Sequence, residues 1–421
     1  MIKSLSGLPK PQIKRALSLI GLALPIGLLV GMVDAIFGKG LLLLSAFRDQ
    51  HLLCFLPFLA LVGLGISWLY ETFGKEVRQG MGLVFEVGHG QKDKIPPILI
   101  PLILVTTWLT HLFGASAGRE GVAVQIGATI SHYCQRFVKT KDLGQDLLVI
   151  GMAAGFAGLF QTPIAAVVFA LEVLLLGTIS YTALLPSLVA AYLATWTSHA
   201  LGLEKFTVFI TDPLVLTPLT LVKLMGLGFV FGLVGNGFAY LLASLKSYFG
   251  QKLPNLHVRI ALIGAFLSIA LFMSHYGRYS GLGTNLINAS FSGHTILDYD
   301  WMLKALLTAL TLSAGFQGGE VTPLFSIGAS LGVVLAPYLD LPVLLVAALG
   351  YVTVFGSATN TFWTPVFIGI EVFGSENVLA YFVTSAVAYM VSRKQSIYSY
   401  QKVFVAKEVH LPVEKESKVS V

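Results

Sequence analysis

The chain is 421 residues long, 55% hydrophobic and only 11% charged, with a formal net charge of +6. Soluble domains carry about 25% charged residues, so these side chains cannot cover a water-facing surface of this size. Neither a disordered chain nor a nucleic-acid-binding domain fits, and the apolar content suffices for on the order of ten spanning helices of roughly 20 residues each.

Taken in order, Lys3, Lys10, Lys14 and Arg15 precede a long apolar run, Ala16 to Met32. That run is long for a signal peptide and predicts a first membrane helix with a cytoplasmic N-terminus, its basic flank facing an anionic leaflet. Further apolar segments follow at 52–70, 95–118, 147–160, 163–177, 181–203, 215–245, 258–275, 302–315, 322–339, 342–358, 361–374 and 377–391. Several are too short to cross a bilayer alone. Between Leu147 and Leu203 the one charged residue is Glu172, and Gln161-Thr162-Pro163 interrupts the stretch. Proline disrupts helix hydrogen bonding, so two helices of unequal length are predicted to meet inside the membrane. Residues 401–421 form a short polar tail. Cys54 and Cys134 are too few for a disulfide framework and are read as free, buried thiols. The histidines are scattered, and no metal cluster, nucleotide loop or cofactor motif is visible.

The chain repeats itself. Gly80-Met81-Gly82-Leu83 resembles Gly281-Leu282-Gly283-Thr284, and Ile126-Gly127-Ala128-Thr129 resembles Ile327-Gly328-Ala329-Ser330, both at an offset of 201. Thr162-Pro163 matches Thr364-Pro365 at 202, and Leu171-Glu172-Val173 matches Ile370-Glu371-Val372 at 199. Four ordered matches at nearly one offset divide the chain into a first membrane repeat, 1–205, and a second, 206–400. Repeats with broken helices typify transporters whose site lies at the repeat interface. Irregular backbone at that depth must be buried or line a cavity.

The segment Gly114-Ala115-Ser116-Ala117-Gly118-Arg119-Glu120-Gly121-Val122 follows an uncharged run and precedes an apolar one. A helix is predicted to start at Glu120 or just before it, and free N–H groups with the positive dipole end make that start an anion site. A carboxylate there is both a tethered anion and a proton carrier. The plain alternative is that Glu120 pairs with Arg119 or caps its helix, although an ionisable residue at membrane depth is functional by default. The second repeat has Ser313-Ala314-Gly315-Phe316-Gln317-Gly318-Gly319-Glu320-Val321-Thr322-Pro323 at the matching place, with Val321 aligned to Glu120. Two helix starts are thus able to converge on one anion, with Gly80-Met81-Gly82 as a third loop.

Gly-Arg-Glu-Gly at 118–121, Gly-Gly-x-x-x-Pro at 318–323 and the Ala-Ala-Gly…Pro…Glu pattern at 153–172 resemble the CLC chloride channels and transporters. The resemblance covers about residues 10–405. It implies an all-α integral membrane protein, an inverted repeat of tilted and re-entrant helices, and a homodimer with a separate pathway in each subunit. It places the family's gating glutamate at Glu120 and its anion-facing tyrosine at Tyr398. The anion-binding set it implies is Met81, Gly82, Glu320, Val321, Thr322 and Tyr398, with the backbone N–H groups of Glu320 and Val321 as ligands. No cofactor or metal is implied.

The departures also carry information. The family's usual Gly-Ser-Gly-Ile-Pro is here Gly80-Met81-Gly82-Leu83-Val84, so a thioether replaces a hydroxyl. Val122 stands at a usual proline, Val321 at a usual phenylalanine, and Val173 where chloride/proton exchangers often have an acidic relay. Together these resemble the fluoride-exporting branch of the family, which exchanges fluoride for protons. Hydrofluoric acid crosses membranes neutral and ionises inside, so coupling fluoride exit to proton entry expels it. The expectation is therefore a multi-pass protein of the cell membrane, both termini cytoplasmic, with fluoride and protons as its cargo and the lipid bilayer as its surroundings. A chloride/proton exchanger or a passive anion channel of the same fold is the alternative. A membrane-embedded enzyme is disfavoured, because Ser116 and His111 near Glu120 form no evident nucleophile–base pair. Glu172 and Glu371 fit helix capping or interface hydrogen bonds better than a proton path. Glu320 fits a role behind the anion ligands and a helix-start carboxylate equally. Thr284, Asn285 and Asn288 fit backbone-satisfying groups better than ligands.

Overall fold

The computed structural model describes residues 10–137, 143–176, 181–391 and 395–403. Lys3 and positions 404–421 of the tail lie outside them.

Helices dominate. The first half runs through α1 (Lys10–Gln50), the four-residue α2 (Leu52–Phe55), α3 (Leu59–Thr72), α4 (Met81–Gly88), α5 (Leu99–Leu112), α6 (Glu120–Cys134), α7 (Gly144–Phe160), α8 (Pro163–Val173) and α9 (Leu184–Ala200). The second continues with α10 (Pro218–Lys252), α11 (Leu256–Met273), α12 (Thr284–Ser292), α13 (Asp300–Ala314), α14 (Val321–Leu339), α15 (Val343–Thr359), α16 (Trp363–Phe373) and α17 (Val378–Val391). A two-residue parallel pairing joins Leu175–Leu176 to Lys402–Val403. The helical order from α4 to α9 recurs from α12 to α17, in keeping with the inverted repeat that the family resemblance implies.

The first helix extends well beyond the predicted 16–32, to Gln50, because the apolar run resumes after Asp34 and Lys39. Its start is tied to α7 by Arg15 and Asp146, whose charged atoms lie 2.7 Å apart. The broken stretch near residue 161 behaves as predicted. Phe160 ends α7, Gln161 adopts a left-handed conformation (φ 58°), and Pro163 opens α8 at a position where its missing N–H costs nothing. Cys134 is buried, but Cys54 is exposed, because it sits on the surface turn of α2 rather than in a packed helix.

The centre of the protein is built from close helix pairs in each half. A Cβ on Gly127 would overlap the carbonyl oxygen of Gly151, and one on Gly328 would overlap that of Gly350. Small residues at these crossings let backbones touch, the usual way helices associate where no water is available to drive them together. An aromatic stack fills the space between the halves. Phe325 lies face to face with Tyr351 at 4.1 Å and stacks across the halves on Phe160 at 5.2 Å, and Phe169 reaches both Phe156 and Phe355.

The glutamates at positions 172 and 371 join the halves reciprocally. Glu172, on α8, accepts hydrogen bonds from the N–H groups of Trp363 (2.9 Å) and Thr364 (3.0 Å) and from the Thr364 hydroxyl (2.7 Å), at the start of α16. Glu371, on α16, accepts from the N–H groups of Ala165 (2.8 Å) and Ile164 (3.2 Å), at the start of α8. The first N–H groups of a helix have no partner within it, and each carboxylate fills that need in the opposite half.

Candidate anion pathway

The backbone brings the two glycine-rich loops together before any side chain is considered. Gly118 and Gly319 pair as an isolated antiparallel bridge, N–H to carbonyl in both directions at 2.5 and 2.8 Å. A Cβ on Gly118 would lie 2.8 Å from both the Gly319 oxygen and the Pro323 ring, so only glycine allows this approach. The bridge sets the starts of α6 and α14 side by side.

Glu120 is the first residue of α6 and is 1% exposed. Its Oε2 accepts from the backbone N–H of Thr322 (3.1 Å), from the Thr322 hydroxyl and from the Arg119 N–H (3.3 Å). The Arg119 guanidinium stands 3.6 Å from Oε1. The plain alternative is therefore present in part, since Glu120 does lie beside Arg119. The stronger attachment runs across the repeat interface: a carboxylate from the first half is held by the N-terminus of a helix from the second, where unpartnered N–H groups favour negative charge.

Met81, Gly82, Glu320 and Tyr398 line one vestibule of about 300 Å³. Tyr398 is buried between the rings of Phe85 (5.4 Å) and Phe169 (6.3 Å), and its hydroxyl has no partner among the described residues. The segment carrying it is anchored at both ends. The Ile397 N–H donates to the Ala358 carbonyl (2.9 Å), and the Gln401 amide donates to the carbonyls of Val173 and Thr359. Val321 and Thr322 do not line this vestibule; they lie behind it with Glu120. The predicted residues thus fall into two neighbouring groups, joined by the Glu320-Val321-Thr322 peptide run.

Sequence reasoning missed several vestibule residues. Arg78, Lys246, Arg259 and Gln125 also line it, and the Lys246 ammonium is 3.9 Å from a Glu320 carboxylate oxygen. Arg78, two residues before Gly80, was within reach of a motif search; Lys246 and Arg259, from α10 and α11, had no such signal. Of the polar residues on the repeat mate of the Met81 loop, Asn285 donates to the Arg278 carbonyl (2.8 Å), in keeping with a backbone-satisfying role.

A profile of the family described as "Voltage gated chloride channel" matches residues 62–393. The chain belongs to the CLC family. It is accordingly a multi-pass membrane protein of a family of anion channels and transporters. A "Chloride/fluoride channel protein" of Pseudomonas syringae pv. tomato is 34% identical over 97% of this CLC chain and 91% of its own. The "H(+)/Cl(-) exchange transporter ClcA" of Vibrio cholerae is 27% identical over 79% of this chain and 76% of its own. Among solved structures, a CLC-type fluoride/proton antiporter superposes with a TM-score of 0.91 at 52% identity, covering 92% of this chain and 98% of that one. A slow cyanobacterial Cl-/H+ antiporter shares the fold at 22% identity, with a TM-score of 0.79 over 90% of this chain and 96% of its own.

Proposed function

We propose that this CLC protein is a fluoride/proton antiporter that exports fluoride from the cytoplasm in exchange for inward protons, with Glu120 as gate and proton carrier. The observation that carries this reading is the Glu120 carboxylate, buried and bound by the start of α14. An anion passing between the two helix starts must displace it. Once released, the same carboxylate is the group in the pathway that can carry a proton. Docking and release therefore link anion passage to proton uptake at a single side chain.

Fluoride as cargo is supported by the 52% identical antiporter structure and by the departures at Met81, Val122, Val173 and Val321. Tyr398 supplies an unpartnered hydroxyl donor, and a neutral donor binds an anion without adding a charge that would trap it. The chain divides into functional repeats near residue 205. It works as a homodimer in the cell membrane with a pathway in each subunit, and with both termini cytoplasmic.

The test is flux from purified protein in liposomes, with fluoride and chloride compared and proton movement recorded. Wild type is expected to take up protons when fluoride flows down its gradient, and to move chloride more slowly. Glu120→Gln keeps the shape of the side chain but cannot carry the proton, so fluoride-driven proton uptake should vanish. Proton pumping retained in that variant would overturn the role of Glu120. Chloride moving as fast as fluoride in wild type would instead overturn the cargo.

A further inference from the structure

We propose a second anion-binding site, in the cavity beside the repeat mate of the Met81 loop, that takes a monovalent anion of the halide class. It is built on Gly281-Leu282-Gly283-Thr284, the repeat mate of the Gly80-Met81-Gly82-Leu83 loop. Both loops lead into a short helix, α4 or α12, and both line a cavity. The second cavity has a volume of about 390 Å³.

Its donors are assembled from both halves. Ser280 lines the cavity, is 5% exposed, and has a hydroxyl without a partner among the described residues; the Ser45 hydroxyl, from α1, is likewise unpartnered. Two unspent hydroxyl donors at one cavity call for an acceptor, since buried polar groups are almost always satisfied. Arg48 also lines it and is 4% exposed. Its Nε and one terminal nitrogen donate to Asp49 Oδ1 (3.0 and 2.6 Å), and the other terminal nitrogen donates to the His111 carbonyl (2.9 Å). A guanidinium has five N–H donors, so one remains on each terminal nitrogen. Gly281 makes room for this group. Its φ is +62°, and a Cβ there would lie 2.6 Å from an Arg48 nitrogen.

The loop is braced from behind, and the groups left facing the cavity are donors. Behind the loop, Lys304 is fully buried and donates to the Gly281 carbonyl (2.7 Å), the Tyr279 carbonyl (3.1 Å) and the Ser116 hydroxyl (2.8 Å). No carboxylate pairs with it among the described residues. Arg48 is matched by Asp49, and Arg278 by Asp300, through two hydrogen bonds of 3.0 and 2.7 Å. The cavity-facing groups with unspent hydrogen-bonding capacity are thus the Ser280 and Ser45 hydroxyls and the two remaining Arg48 N–H groups. A single monovalent anion at Ser280 and Arg48 accepts from these donors. A cation there would be repelled by the Arg48 guanidinium. Fluoride and chloride share the required chemistry.

The readout is binding and does not depend on the transport assignment. Crystals of the full chain grown with bromide as the halide should show an anomalous peak within hydrogen-bonding distance of the Ser280 hydroxyl and the Arg48 guanidinium. Ser280→Asp places a carboxylate there and should abolish the peak. A wild-type crystal without the peak overturns the site, and so does a peak undiminished in Ser280→Asp. Should that variant fail to fold, Ser280→Ala removes one donor. The halide concentration that half-stabilises the purified protein against heat should then rise about ten-fold, the loss expected for one hydrogen bond to an anion. An identical midpoint in Ser280→Ala refutes the proposal. Separate titrations with fluoride and with chloride identify the halide that the site prefers, as the one showing the Ser280-dependent shift.

Discussion

Replacing Thr322 by valine should loosen the gate. The Thr322 hydroxyl and N–H both donate to one oxygen of the Glu120 carboxylate, in a setting where Glu120 is 1% and Thr322 5% exposed. Valine keeps the volume and the N–H and removes only the hydroxyl. A hydrogen bond to a charged group contributes about 1.5–3 kcal/mol, which corresponds to roughly a ten-fold to hundred-fold fall in the docking equilibrium. The carboxylate and the transported anion compete for the same helix start. When docking is strongly favoured, the apparent KM for the anion is its intrinsic value multiplied by the docking constant, so KM should fall by the same factor. Proton coupling should weaken as well, because fluoride then passes without a full cycle of docking and release. The assay is fluoride efflux from liposomes over a range of fluoride concentrations, with proton uptake followed in parallel. Thr322→Ser, which retains the hydroxyl, should behave like wild type. An unchanged KM and an unchanged proton-to-fluoride ratio in a stable Thr322→Val protein would refute competition at this helix start.

Met81→Ser restores the hydroxyl of the usual family loop and should move the flux ratio toward chloride, with little effect on thermal stability; an unchanged ratio would place selectivity in residues 318–323. Tyr398→Phe removes a vestibule phenol whose hydroxyl has no partner among the described residues and should weaken fluoride binding by roughly ten-fold or somewhat more, measured by titration at one pH, whereas equal affinities would remove Tyr398 from the site. Glu172→Gln keeps the side-chain shape but loses the charge at the start of α16, and should cost roughly 1–2 kcal/mol, seen as a lower melting temperature in detergent; an unshifted melting curve would mean that the cap contributes nothing.

Much of the architecture was legible because membrane constraints are severe. The break at Gln161-Thr162-Pro163, the helix start at Glu120 and the alignment of Glu120 with Val321 all follow from glycine, proline and one offset, and the structure places helix ends at each. The short helices at Met81–Gly88 and Thr284–Ser292 escaped the search for apolar runs, since neither is long enough to register as one. The contact between Glu120 and Thr322 joins residues 202 apart, and no local pattern announces which oxygen meets which donor. Lys304 was detectable in principle. It is the one charged residue in the apolar run 302–315, and a lone charge at that depth demands an explanation. Arg48 offered less, because it stands beside Asp49 at the end of a run and looks like an ordinary surface pair.

The crossed glutamates at 172 and 371 bear on how such a chain is made and how it arose. As the ribosome delivers the first half to the membrane, Glu172 and the opening N–H groups of α8 have no protein partner. Both needs are met only when residues 362–373 arrive, nearly 200 positions later. The nascent first half is therefore an unfinished object in lipid, with a stranded carboxylate that holds it open to its successor. In an ancestor made of two identical copies paired in opposite orientations about a two-fold axis, one glutamate at this position would have created both contacts at once, because such an axis repeats every contact it relates. A single substitution then suffices to lock two copies together, and fusing them into one chain preserves the lock.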